Sequence, residues 1–405
     1  MGKKRSLSKC LRFLNNRSDN TYLAYEQSIG KYEKYHGTRM EELVKEALDE
    51  QTERVPNHLL KIIDRIEDFQ NFLISQDYEY RTVLIHVSRI KTVYRKNRVY
   101  LPYLEEIDPK SCKHRDIIEY KDILTKDELR KVLPSMRLPM RARAMTMLQG
   151  GLSNEECEHL TTRAFIDETF KYHHQRSDRK ALEWLADETN PIIWATRLVR
   201  VKTGKPYYAI IGAEAVNCIA SAKLYEYELK GEIPPKLLNT HKNTMNRLCS
   251  QLNKKFGLGK AGGMYRLRPH MLRKFHATYI RGGVLSYEEN TIISNFEIDE
   301  LQGRGKTSVQ DTYIKTNPIE QKLIYAKVMN NLTLWNEYDY EVIDGDVKIW
   351  IIDPSAENRK LKEEVKHLNK KLQKKQQASE KVKALREELG EEVFEELLGE
   401  IIGAR

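Results

Sequence analysis

Between His58 and Leu73 the apolar residues Leu59, Ile62, Ile63, Ile66, Phe69 and Leu73 recur every three to four positions behind Pro56, the spacing of one helix face. The same period returns in Tyr22, Tyr25, Ile29 and Tyr32, where Ser18 or Asn20 can cap the start. It returns again in Leu84, Val87, Ile90 and Tyr94, within the basic stretch Arg81 to Tyr100. Stripes of this kind are buried against one another, which predicts a packed set of helices. The third stripe is surrounded by Arg81, Arg89, Lys91, Arg95, Lys96 and Arg98, cations that form either a solvated face or a surface turned towards DNA.

Pro102, Pro109 and the polar run Lys110 to Arg115 interrupt the helical pattern and mark a linker, with residues 106–122 as its body. Thr125, with Glu128 three positions on, has the form of a capping box and opens a second domain, expected over residues 123–335. Within it, residues 171–197 read as an insertion whose adjacent His173 and His174 suit a loop better than a metal site. Leu198 to Gly212 alternates in and out around Thr203-Gly204, the signal of a β-hairpin. Ser286 to Asn295 reads as a helix, and so does the apolar-striped run Ile319 to Leu332. Residues 336–355 carry two short strands about an Asp-Gly turn. Leu361, Val365, Leu368, Leu372, Val382, Leu385 and Leu389 predict a short coiled coil over 356–405, paired with another copy or with a helix of its own chain. The fold class expected is mainly α with a small β-sheet.

A net charge of +10 favours a polyanionic partner, because cationic surface that displaces counterions from DNA gains affinity without reading sequence. The five cysteines are scattered and lack C-x-x-C spacing, which argues against a disulfide framework or a zinc site and fits a reducing cytoplasm. No apolar run approaches the roughly 18 residues that span a bilayer, and Met1-Gly-Lys-Lys-Arg-Ser6 is charged with no apolar region behind it. A soluble, unexported protein is expected.

Two stretches carry candidate chemistry. Tyr313 lies nine residues after Arg304 in polar, glycine-broken sequence, as either a packed tyrosine or a phenol able to attack an electrophile. Pro269 opens a helix on which His270 and Arg273, three apart, share a face and can converge on one phosphate, the arginine by its planar fork and the histidine by proton exchange.

The run His270-Met-Leu-Arg-Lys-Phe-His-Ala-Thr-Tyr-Ile-Arg-Gly-Gly283 resembles the H-x-x-R box of the tyrosine recombinase (phage integrase) family, and Leu301 to Lys315 resembles its closing box. The resemblance implies a helical, DNA-clasping core-binding domain over residues 15–105, a mixed α/β catalytic domain and cleavage of DNA through a 3′-phosphotyrosine at Tyr313. Arg273 and Arg304 would then hold the phosphate, Arg304 standing where most members have His or Trp. His270 would assist proton transfer, and Lys202 at the hairpin tip, with Lys205 as understudy, would protonate the leaving hydroxyl. Arg89, Lys91, Arg95, Lys96, Arg98 and Lys205 would contact DNA.

Met145 to Leu160 is similar to the family's first box at Gly151, Leu152, Glu156 and Leu160, but Ser153 occupies the place of its catalytic arginine. Losing such a donor commonly costs about 3–4 kcal/mol. Arg141, Arg143 and Arg163 are candidates to replace it, and a chain that binds DNA but cuts poorly is the alternative. The family further implies double-stranded DNA as partner and a homo-tetramer on it. It implies no cofactor, metal, membrane or small-molecule substrate, and a cytoplasmic, nucleoid-associated integrase of a mobile element. The helix after Tyr313 is one that the family extends into a neighbouring protomer.

Overall fold

The computed structural model describes residues 9–113, 117–281, 294–304 and 317–352, so Tyr313, the stretch 286–293 and the expected coiled coil lie outside the described residues. The chain divides into two compact units, one of residues 1–119 with 260–264 and the other of residues 120–259 with 265–405. Among the described residues no helix is long and apolar enough to cross a membrane. The architecture is mainly helical, with strands only in short two-stranded sheets.

The first unit is built from α1 (Asp19–His36), α2 (Met40–Thr52), α3 (Lys61–Ser75) and α4 (Tyr80–Lys96). Ser18 caps α1 by accepting from the Thr21 N–H. The expected stripes meet in one core, in which Ile29 and Tyr32 pack with Ile62, Ile66, Phe69 and Leu73, and with Val83, Val87, Ile90, Val93 and Tyr94. Tyr32 and Tyr94 are fully buried and satisfy each other, hydroxyl to hydroxyl, at 3.1 Å.

Four details depart from the sequence reading. Asn57–Leu59 forms a separate 3-10 turn before α3, leaving Leu59 60 % exposed. On α4, His86 is buried while Leu84 is 38 % exposed, because the Ser28 hydroxyl lies 2.9 Å from the His86 Nδ1 and satisfies the ring inside the core. α2, not foreseen, contributes Met40, Leu43, Val44 and Ala47. Ile107 and Cys112, within the stretch read as linker, are buried in the same core.

In the second unit the capping box at Thr125 is present and opens α5 (Lys126–Val132). The centre is α6 (Leu138–Gly150), whose residues Ala142 to Gly150 are all buried. Ala142, Ala144 and Gly150 let neighbours approach from every side, and α9 (Ala213–Lys230), α11 (Pro269–Arg281) and the strand Pro206–Ile211 pack around it. The stretch expected as an insertion is helical instead. α7 (Thr162–His173) runs on to a left-handed cap at His174, and α8 (Asp178–Ala186) buries Ala181, Leu182 and Leu185 against α9.

The hairpin forms as expected from β1 (Trp194–Val199) and β2 (Pro206–Ile211), antiparallel with Trp194 opposite Ile211 and Val199 opposite Pro206. After α10 (Lys242–Lys255) and α11 come α12 (Asn295–Leu301) and α13 (Pro318–Val328). The helix that follows the stretch outside the described residues packs on elements of its own chain. α13 lies on β2 and on a second hairpin, β3 (Tyr338–Ile343) with β4 (Asp346–Ile351), and the Tyr325 hydroxyl donates to the Gln149 carbonyl at 2.9 Å.

The second hairpin turns through Asp344 and Gly345, both at positive φ, as its Asp-Gly sequence demands. Its role is to deliver Asp346. That carboxylate accepts from the Tyr172 hydroxyl at 2.8 Å and from Lys322 at 3.4 Å, and it pairs with Lys171, joining α7 and α13. Burial, opposed by Asp346, pulls the Lys322 ammonium down to about 8.

Candidate active site

α6 ends at Gly150, and Gly151 turns the chain with φ +63, a left-handed conformation that glycine adopts without strain. The turn aims the Gly151 carbonyl at α11. Just beyond, the Ser153 N–H donates to the Glu156 carboxylate at 2.7 Å while the Glu156 N–H donates to the Ser153 hydroxyl at 3.2 Å. Ser153 thus caps the turn that holds Glu156, a buried carboxylate.

Arg273 projects from α11 into this frame and is 6 % exposed. One terminal nitrogen donates to the Gly151 carbonyl and to Glu156 at 3.2 Å; the other donates to the Gln302 carbonyl at 2.6 Å. Burial, aided by Arg200 and Arg304 and opposed by Glu156, pulls the guanidinium below its ordinary value. The site is therefore a built cationic one, with a single buried carboxylate against the central fork.

Gln302 stands at the end of α12 and serves three neighbours. Its carbonyl takes Arg273 and, at 2.7 Å, Arg200; its side-chain amide donates to the His276 Nδ1 at 2.9 Å. His276 is fully enclosed, and burial together with Arg273 and Arg304 pulls it down to about 3, so the ring is neutral. Gly303 follows at φ +59 with the Tyr207 ring against it, a Cβ there lying 2.6 Å from Cγ. The Tyr207 hydroxyl is buried without a hydrogen-bond partner among the described residues, and burial, with Glu156 beside it, raises its pKa.

Of the five residues expected to act on the phosphate, three are brought within electrostatic reach of one another. His270, exposed on the first turn of α11, is pulled below its ordinary value by partial burial and by Lys274, Arg268, Arg273 and Arg304, so it is poised to accept a proton at neutral pH. Arg304 is 42 % exposed, with its nearest described carboxylate, Asp299, at 3.8 Å. Lys202 is exposed in the turn between β1 and β2, two residues from Arg200. Tyr313 is outside the described residues.

The three arginines considered as replacements for the first-box residue are engaged elsewhere. Arg141 donates to the carbonyls of Leu133, Pro134 and Met136, and the fully buried Arg143 is bound to Asn154 and Thr240. Arg163 pairs with Asp167 at 2.7 Å on the surface.

Among the cations read as facing DNA, Arg95, Lys96 and Arg98 are exposed at the end of α4, whereas Lys91 and Lys205 are half-buried. Arg89 turns inward, donating to the Ala24 carbonyl at 3.1 Å and to the Ser28 hydroxyl at 3.2 Å.

Sequence reasoning missed Arg200, Tyr207, His276 and Gln302. Arg200 had a signal: Trp194, Thr196 and Leu198 are the inward residues of β1, and the next position in that alternation is 200. A separate cavity of about 450 Å³, lined by Pro134, Arg141, Glu214, Cys218 and Trp335 among others, contains none of the cluster. Among the described residues no group of His, Cys, Asp and Glu is placed to hold a metal ion.

No protein-family model matches the chain, and no curated protein sequence does. Among solved structures it is similar to members of the tyrosine recombinase and integrase family. XerA recombinase matches at 16 % identity and a TM-score of 0.31, over 78 % of this chain and 95 % of that one. XerH site-specific recombinase, in a pre-cleavage complex with its difH substrate, matches at 12 % and 0.44, over 78 % and 80 %. A lambda integrase tetramer bound to a Holliday junction matches at 15 % and 0.38, over 78 % and 85 %.

Proposed function

We propose that the chain is a tyrosine-type site-specific DNA recombinase that cuts and rejoins strands through a phosphotyrosine at Tyr313. The observation that carries this reading is the convergence of Arg273, Arg304 and His270, three of the five residues chosen from the sequence, on one cationic site with the Arg273 fork rigidly held. A phosphodiester passing through a pentavalent state gathers negative charge on its non-bridging oxygens, and preorganised guanidiniums stabilise that charge without reorganising at the moment of reaction. His270, neutral at pH 7, accepts the nucleophile's proton, and Lys202 protonates the departing 5′-hydroxyl. Phosphodiester energy is kept in the covalent link, so rejoining requires no nucleotide. Exposed Arg95, Lys96 and Arg98 supply backbone contacts to duplex DNA, and the working form on two sites is a homo-tetramer.

A second reading, a weakened homologue that binds DNA without cutting it, is favoured by one observation: Ser153 is occupied in capping Glu156 and offers no cation. The two readings part in one experiment. The protein is incubated with a pool of short duplexes of randomised sequence, each nicked near its centre so that the cleaved end diffuses away. The recombinase reading expects DNA covalently attached to protein under denaturing conditions, and none with Tyr313→Phe. Salt-sensitive binding with no adduct from any duplex supports the second reading and rejects the first.

A further inference from the structure

The first-box position holds Ser153, and the arginines nearest to it in sequence are committed to carbonyls and side chains elsewhere, yet the site is not short of guanidinium. Arg200 directly follows β1 and continues the inward alternation of Trp194, Thr196 and Leu198. Its backbone is fixed by the turn that follows: its N–H donates to the Lys205 carbonyl at 2.8 Å, and its own carbonyl accepts from Thr203 at 3.2 Å and Gly204 at 2.8 Å. From this anchored position a terminal nitrogen reaches the carbonyl that Arg273 also uses, so two forks meet on one oxygen.

The pairing is electrostatically odd unless an anion belongs there. Arg200 and Arg273 repel each other, Arg304 adds to the repulsion, and among the described residues Glu156, the buried carboxylate at the centre, pairs with only one of the three arginines, Arg273. A carbonyl carries a partial charge and cannot neutralise two cations. Each guanidinium has five N–H donors in a planar fork, and Arg200 spends one of them on Gln302 among the described residues. Among the described residues the remaining donors have no partner, and they can bind a tetrahedral oxyanion alongside Arg273.

We propose that Arg200, carried on the hairpin, supplies the second phosphate-clamping guanidinium in place of the arginine for which Ser153 stands. This rests on the recombinase reading above. The clamp is then assembled from the hairpin and α11, and the hairpin brings both a guanidinium and the leaving-group acid Lys202 to the same phosphate.

The test uses the full chain and the nicked duplex recovered in the covalent adduct. Arg200→Ala is expected to slow adduct formation by roughly 10²–10³-fold, the loss typical of one oxyanion donor, with DNA affinity, measured in a Tyr313→Phe background, falling less than tenfold. Arg200→Gln keeps an N–H for the Gln302 carbonyl but removes the charge. It is expected to lose at least tenfold, and it serves as the probe if alanine unfolds the protein. Ser153→Arg, added to Arg200→Ala, is expected to restore at least tenfold, which a residue that only holds Gln302 in place would not allow.

Adduct formation within threefold of the parent in Arg200→Ala or Arg200→Gln overturns the inference and leaves the recombinase reading standing. So does a loss of affinity that matches the loss of rate, or a Ser153→Arg that restores nothing. Absence of adduct from the unsubstituted protein with every duplex overturns the recombinase reading itself, and the inference with it.

Discussion

Gly151 and Gly231 both end long helices in the left-handed region, at φ +63 and +75, but only one has a neighbour. A Cβ at Gly231 meets nothing within 4 Å, whereas at Gly151 it lies 2.6 Å from the His276 Nδ1 and 2.7 Å from Cε1. Gly231→Ala therefore isolates backbone strain, about 1–2 kcal/mol. Gly151→Ala adds overlap with a fully buried ring whose contacts belong near 3.5 Å, an overpacking cost of about 1–3 kcal/mol. The ring cannot swing aside without releasing its 2.9 Å bond from Gln302, a further cost of about 1–3 kcal/mol. The two substitutions should thus differ by about 2–6 kcal/mol, a large share of the stability of an ordinary domain. All four tryptophans, Trp184, Trp194, Trp335 and Trp350, lie in the second unit, so their fluorescence during urea unfolding reports that unit alone. With a slope of about 1–3 kcal/mol per molar urea, the midpoint of Gly151→Ala should fall by about 1 M or more below that of Gly231→Ala. In a His276→Ala background the overlap is gone, and Gly151→Ala should cost no more than Gly231→Ala. Equal midpoints for the two glycine variants in the parent chain would refute the packing argument.

Further outcomes follow from other parts of the structure. His276 and, in the first unit, His86 are held at about 3 and about 4, below the unfolded value of 6.5, so the unfolded chain takes up protons first as pH falls. Their contribution to stability is full above pH 6.5 and is lost on the way down. Between pH 6 and 5 the tryptophan-reported stability should drop by about 1.4 kcal/mol per pH unit from His276, a slope that His276→Gln should flatten and that equal slopes would contradict. Asp346→Ala strands the buried Lys322 ammonium and should cost about 3 kcal/mol in the same urea assay; adding Lys322→Met should recover most of it, and no recovery would mean that the hairpin is held by other contacts. Gly303→Ala pushes a Cβ into the Tyr207 ring beside the Gln302 carbonyl and should slow adduct formation at least tenfold. An unchanged rate would detach that carbonyl from the clamp.

The helical stripes of the first unit were legible because burial there follows the 3.6-residue period, and the deviations have local causes. Leu59 was counted into α3 because it is apolar and in phase, but Pro56 opens a 3-10 turn before the helix and leaves it outside. His86 was passed over for Leu84 because a core histidine is paid for by a partner 58 residues away, Ser28, that no local pattern reveals. α2 hid behind its glutamates, which line the outer side of Met40, Leu43, Val44 and Ala47. At the candidate site, residues carried by a motif were open to nomination, Arg273 and His270 from their spacing on a helix and Arg304 from its distance to Tyr313, and their roles are those proposed above. Residues defined by a backbone atom were not. Gln302 acts through its carbonyl, which every residue possesses, and Arg200 sits in a basic turn whose sequence looks like a solvated hairpin end.

Gln302 is also where the chain sets out towards Tyr313. Eleven residues of polypeptide span at most roughly 40 Å, so the phenol is leashed to the oxygen on which Arg200 and Arg273 meet. On the proposed recombinase reading, a Tyr313 supplied by the same chain would have to act within that distance of the clamp, and one supplied by another copy would not be so bound.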